Sequence, residues 1–171
     1  LFAFILISIG FSAQGQYITE LPGTDYKYRT LHMADDYAGK VVCTLVKRKP
    51  VSKDGPAILY VHGYNDYFFQ RALGDSAATH GYNFYALDLR KYGRSILPDQ
   101  DAFFAKNLSE YFADLDTAIA IIKAEGNRDI VLMAYSTGGF ITPLYLQSKD
   151  NKIPVSALIL NSPFLDMNMS W

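Results

Sequence analysis

The 171-residue chain is expected to be α/β, with a mostly parallel sheet entered through an N-terminal antiparallel hairpin. Three observations predict this. Two runs with β character, residues 26–33 and 41–48, flank the turn signals Asp35, Asp36 and Gly39, which is a hairpin pattern. Beyond them the order is strand, helix, strand, helix, strand, helix, strand, from short apolar runs alternating with segments of helical spacing. The apolar run 130–134 then stops at Tyr135-Ser136-Thr137-Gly138-Gly139, and apolar residues resume at helical spacing with Phe140, Ile141, Leu144 and Tyr145. A buried strand turning sharply into a helix, with a serine at the apex, is the result.

Residues 1–11 are apolar but shorter than the about 20 residues of a membrane span. Ala13 and Gly15 follow in the small-x-small pattern of a signal-peptidase site, so residues 1–15 are expected to be the remnant of a signal peptide rather than a core strand. Export of the remainder, 16–171, is the expected consequence. Residues 50–56 form a polar loop, and 57–61 a continuous apolar run typical of a strand covered on both faces. A helix is expected from about 67 to 80, weakened by Gly74 and closed by Gly81, then a strand at 82–89. Asn107 and Glu110 make a capping box for a helix that carries Tyr111, Phe112, Leu115, Ala118, Ile119 and Ile122 on one face and ends at Gly126. In the helix after Ser136, Pro143 removes one backbone bond and crowds the carbonyl of Gly139, predicting a kink or an early stop. The last strand, 155–160, leads to Asn161-Ser162-Pro163, and there are no internal repeats.

Composition narrows the function classes. Sixteen basic against seventeen acidic residues give no field to steer a polyanion, so nucleic acid is not suggested. Lys47-Arg48-Lys49 with Lys53 reads as a solvated strand end and loop. Cys43, the single cysteine, sits in an apolar alternation and reads as a small core residue. With no metal-ligand cluster, Gly-rich phosphate loop or redox pair, no cofactor is expected.

Reactive groups of a parallel sheet gather at the carboxyl ends of its strands. Those ends hold His62-Gly63-Tyr64, then Asp88-Leu89-Arg90-Lys91-Tyr92-Gly93-Arg94-Ser95, then Ser136. Around the serine the pattern is Ala-x-Ser-x-Gly, with Ala134 and Gly138 as the small residues and Tyr135 beside the serine. Taken alone, Ser136 also fits a simple helix cap. Together, the three segments resemble the α/β-hydrolase superfamily, and within it the serine aminopeptidase S33 or hydrolase 4 group, which includes monoacylglycerol lipases and lysophospholipases. The marks are the His-Gly dipeptide, the Asp-x-Arg-Gly-x-Gly-x-Ser loop, where Lys91 replaces the first glycine, and the nucleophile elbow, where Ala134 replaces the first glycine. The resemblance spans about residues 26–168.

It implies an α/β-hydrolase fold, of which 16–171 would be the N-terminal part, truncated before the last strands. It further implies that Ser136 attacks an ester or amide carbonyl to form an acyl-enzyme, with the backbone N–H groups of Thr137 and Tyr64 holding the oxyanion. His62 would be structural rather than the base. Gly63 belongs to the same loop, and Asp88 and Arg90 would brace it by hydrogen bonds to backbone. His32 and His80 are expected to be ordinary surface or packing residues. Tyr64, Tyr67, Phe68 and Phe69 suit either an acyl pocket or helix-to-sheet packing.

In the superfamily an acid and then a histidine follow the serine, yet no histidine follows Ser136 here. Asp166 could supply only the acid. The chain is therefore expected to be the front portion of a longer exported hydrolase and nearly inert as it stands, with Ala157 to Leu160 as an apolar edge. A small-molecule ester or lipid is the expected substrate. The alternatives are an S33-type serine peptidase and a non-catalytic α/β-hydrolase-like binding protein.

Overall fold

The computed structural model describes residues 19–20, 23–149 and 153–166; the leader-like stretch 1–15 and the last residues 167–171 lie outside them. Strand β1 (Thr19–Glu20) pairs with β2 (Tyr26–Asp36), which forms the expected hairpin with β3 (Gly39–Arg48). The hairpin runs to its tip, further than the β character alone indicates, because Asp36 accepts from the Ala38 N–H at 2.7 Å and Gly39 takes a left-handed φ of 95°. Next come β4 (Ala57–Val61), helix α1 (Arg71–Thr79), β5 (Asn83–Asp88), helix α2 (Phe112–Ala124), β6 (Ile130–Tyr135), helix α3 (Gly138–Ser148) and β7 (Val155–Asn161). The order across the seven-stranded sheet is β1-β2-β3-β5-β4-β6-β7, with β5, β4, β6 and β7 parallel.

The period-2 alternation of the central strands splits the core in two. Ile58, Tyr60, Phe84 and Ala86 face α1, with Tyr26, Phe68 and Ala77. Ala57, Leu59, Val61, Tyr85 and Leu87 face α2 and α3, with Leu115, Ile122, Ile141 and Tyr145. Every residue of β4 and β5 is buried, as the unbroken apolar run of β4 requires, with Asn83 and Asp88 at the ends of β5 buried in hydrogen bonds. Cys43 lies in this core with no exposed surface, and burial pushes its thiol pKa well up.

Four local expectations are corrected. Helix α1 starts at Arg71 rather than near residue 67, because the Phe68 N–H is taken by the Asp88 carboxylate at 2.9 Å and the Phe68 ring is buried among Tyr26, Tyr60 and Phe84. The Asn107–Glu110 capping box forms, but it caps a 3-10 turn, Leu108–Tyr111, that leads into α2. Of the kink or early stop expected at Pro143, the stop does not occur: α3 continues to Ser148. Burial of Ile141, Thr142 and Tyr145 against the sheet, and the Tyr145 hydroxyl donating to Asp116 at 2.7 Å, outweigh the one lost backbone bond. Lys47 and Arg48 are not simply solvated: Lys47 pairs with Glu125 at 2.6 Å and Arg48 with Asp75 at 2.7 Å, tying β3 to the end of α2 and the middle of α1. Strand β7 is the sheet edge among the described residues, with Ile159 and Leu160 exposed as expected of an apolar edge. Among the described residues no helix is long and apolar enough to cross a membrane.

Gly74 is needed where the helix meets the sheet. A Cβ there would lie 2.3 Å from the Tyr26 hydroxyl and 2.7 Å from Cδ1 of Phe84. Gly74→Ala should therefore destabilise the protein by roughly 1–2 kcal/mol net, since the overpacking exceeds the gain of about 1 kcal/mol in helix propensity. Denaturant unfolding with an unchanged m-value checks this; a stabilised variant would show that α1 shifts freely.

Candidate active site

Ser136 sits between β6 and α3 with φ +51°, in the left-handed region that side-chain-bearing residues avoid. Its backbone is held from two sides. The Ser136 N–H donates to the carbonyl of Asn161 at 3.2 Å, and its carbonyl accepts from the N–H groups of Gly139 and Phe164, each at 2.9 Å. The sharp turn works only because its neighbours are small. A Cβ on Gly138 would stand 2.5 Å from the His62 carbonyl oxygen and 2.7 Å from that of Val61. A Cβ on Gly139 would stand 2.7 Å from Cβ of Pro163. Ala134 is fully buried and pairs with Val61 across β4 and β6. Tyr135 is exposed at the rim.

The loop after β4 touches this turn. A Cβ on Gly63 would lie 2.9 Å from Cβ and 3.5 Å from Oγ of Ser136, so the His62-Gly63-Tyr64 segment passes directly over the serine. His62 is almost completely buried, and its two ring nitrogens are both engaged. Nε2 accepts from the Leu89 N–H at 3.1 Å, which leaves Nδ1 to carry the proton and donate to the Gly63 carbonyl at 2.7 Å. Burial pushes the imidazole pKa down, keeping the ring neutral. No lone pair of His62 is left to face Ser136. The His80 ring bonds to Ser76 and Thr79 at the end of α1, and His32 is exposed on the hairpin. Among the described residues no imidazole hydrogen-bonds the Ser136 hydroxyl, and no acceptor takes the N–H of Tyr64 or of Thr137. Asp166 lies past β7, exposed.

Asp88, at the end of β5, is fully buried. It accepts from the Phe68 N–H at 2.9 Å and from the Arg94 guanidinium at 2.7 Å, joining the loops after β4 and β5. Arg90 reaches a side chain, not the expected backbone: its guanidinium forks onto the carboxylate of Asp114 on α2, at 2.7 and 3.1 Å to one oxygen. Asp114 also accepts from the Arg90 N–H at 2.9 Å. Lys91 has φ +62°, which explains why the resembled pattern has glycine at that place. Its ammonium is buried against the Asp36 carboxylate at 2.8 Å and lies over the Tyr37 ring at 4.4 Å, so the hairpin tip holds the loop.

The expected site residues thus meet at one end of the sheet. The aromatic group divides: Phe68 packs in the core, whereas Tyr64, Tyr67 and Phe69 are exposed. Asp114 and Asp36 were not legible as site supports. Asp114 falls three residues after Tyr111 and one before Leu115, on the buried stripe of α2, and a carboxylate on an apolar stripe is the signal that marks a buried partner.

A mixed sheet with helices on both faces, a strained serine at the strand–helix apex and a His-Gly loop packed on it define the class of protein as an α/β-hydrolase fold. The chain belongs to the serine aminopeptidase S33 family, which matches residues 53–171, more than half of it. Three solved structures share the fold. A probable hydrolytic enzyme of Pseudomonas aeruginosa is 19% identical with a TM-score of 0.63, over 80% of this chain and 41% of its own. A carboxyl esterase of Bacillus coagulans is 19% identical with a TM-score of 0.61, over 78% and 43%. A bacterial membrane phospholipase A, described as a virulence factor, is 21% identical with a TM-score of 0.59, over 84% and 42%. The chain spans less than half the length of each of these three structures. Among curated proteins none matches it.

Two outcomes follow from the buried loops. Because the folded His62 pKa lies below its ordinary 6.5, the unfolded state binds the extra proton first on acidification. Stability is full above that value and falls as pH drops through it, by at most about 1.4 kcal/mol per pH unit. Denaturant midpoints measured between roughly pH 7.5 and pH 5 should show this slope, and His62→Gln should flatten it. At position 91, both Lys91→Ala and Lys91→Gly lose the ion pair, but only glycine relieves the left-handed φ. The alanine variant should be the less stable by about 1 kcal/mol.

Proposed function

We propose that the complete protein is a serine hydrolase of carboxylic esters, of the monoacylglycerol or lysophospholipid kind, working through an acyl-enzyme on Ser136. The observation that carries this is the strained serine at φ +51°, pressed against the His62-Gly63-Tyr64 loop at the positive end of α3. A helix cap needs no such conformation, whereas a nucleophile gains exposure from it. Ser136 Oγ attacks the carbonyl carbon, its proton passing to a base, and the carbonyl oxygen becomes an oxyanion. The N–H groups of Thr137 and Tyr64 are fixed before the reaction and stabilise that charge without reorganising; losing one such donor costs about 2.7–4 kcal/mol. His62 serves the loop, since both its nitrogens are committed. The base is therefore assigned to the part of the complete protein outside the described residues. Exposed Tyr64, next in sequence to the Gly63 that packs on Ser136, supports an apolar acyl substituent. The apolar stretch before Gln16 supports export.

The family description favours a second reading, a serine aminopeptidase using the same elbow. Turnover of p-nitrophenyl acyl esters against amino-acid p-nitroanilides by the complete protein separates the two. A fluorophosphonate probe should label wild type and leave Ser136→Ala unlabelled, and that variant should lose about 10⁴ or more in kcat. Thr137→Ala should stay within about threefold of wild type, because only its backbone acts. An unlabelled wild-type serine would leave a binding protein.

A further inference from the structure

Phe103, in the long loop between β5 and α2, has φ +65°. For a bulky aromatic residue this conformation is disfavoured, and it persists only where the surroundings impose it. Two things impose it here. The Phe103 N–H donates to the carbonyl of Lys91 at 3.0 Å, and Lys91 is itself pinned to Asp36 of the hairpin tip. The Phe103 ring meets Tyr92 at 5.2 Å and Tyr64 at 5.7 Å between centroids. Tyr92 in turn packs on His62 at 4.8 Å. Since His62 and Tyr64 flank Gly63, the four rings close a circuit around the backbone that crosses Ser136. Tyr64 is 63% exposed, so Phe103 is a main support for its ring.

We propose that Phe103 is a positioning residue for the His62-Gly63-Tyr64 loop: its left-handed backbone turns the ring inward to clamp Tyr64 and hold that residue's N–H in place beside Ser136. The role rests on the serine-hydrolase reading above. Unlike an ordinary packing contact, the clamp acts on one loop and not on the stability of the whole sheet. The conformation makes mechanical sense only with a ring attached, because a glycine would adopt it without strain and clamp nothing.

The test uses the complete protein with Phe103→Ala, Phe103→Leu and Phe103→Gly. Amide hydrogen exchange followed by mass spectrometry should accelerate about tenfold in a peptide covering residues 62–66 of the alanine variant, while a peptide covering α2 stays as in wild type. On a p-nitrophenyl ester, kcat should fall about tenfold with KM within about twofold, less than the loss expected for removing an oxyanion donor outright. Phe103→Leu, which keeps most of the bulk, should recover the greater part of both effects. Phe103→Gly should match alanine even though it relieves the backbone. Unchanged exchange at 62–66, exchange that rises equally throughout the chain, or kcat within twofold of wild type would each overturn the positioning role. If wild type itself takes no fluorophosphonate at Ser136, the hydrolase reading fails and the catalytic role with it, while the exchange data still decide whether the clamp exists.

Discussion

The structure depends on one close approach, that of Gly138 to the carbonyl oxygens of Val61 and His62. Backbone atoms of a strand, the loop after it and a helix meet there with no room for a single carbon. That contact sets how far α3 can slide along the sheet, and so where the serine apex stands relative to the loop that crosses it. The strain at Ser136 is tolerated because its backbone groups are claimed by Asn161, Gly139 and Phe164. Those partners belong to the start of α3, the last residue of β7 and the segment after it. The turn is thus held by its neighbours rather than by its own conformational preference.

The opposite end of the sheet is closed by polar groups. Asn83 accepts from the N–H groups of Val51 and Ser52, and donates to the side chain of Asn127, which reaches the Tyr85 hydroxyl. Tyr85 donates to Glu125, the partner of Lys47. This network knits loop, strand and helix ends together. With the amino end fixed, the carboxyl end can carry left-handed residues at 65, 91, 103 and 136 without loosening the core.

Much of the architecture was legible because it is written in periodicity. The unbroken run at β4, the β character and turn signals of the hairpin and the small residues around Ser136 each follow from a local rule that the tertiary structure leaves intact. What was not legible depends on contacts distant in sequence. Nothing near Phe68 says that Asp88 will take its N–H and delay α1. Nothing near Pro143 says that sheet burial will carry α3 through it. Lys91 was visible as a departure from glycine, but its compensation by Asp36 spans the hairpin and could not be read locally. The arrangement of Phe103 left no sequence signal, since a phenylalanine in a polar loop resembles many others.

Cys43 carries a consequence of a different kind. It is the sole thiol of the chain, sealed in the core on the sheet face that packs against α2 and α3 and paired with Leu31 across the hairpin, with its ionisation suppressed by burial. A thiol reagent can reach it only when the strand that holds it leaves its neighbours. The residue is therefore a built-in clock for opening of the hairpin, and a cysteine introduced anywhere on the surface would carry a label alone for as long as the native sheet stays shut.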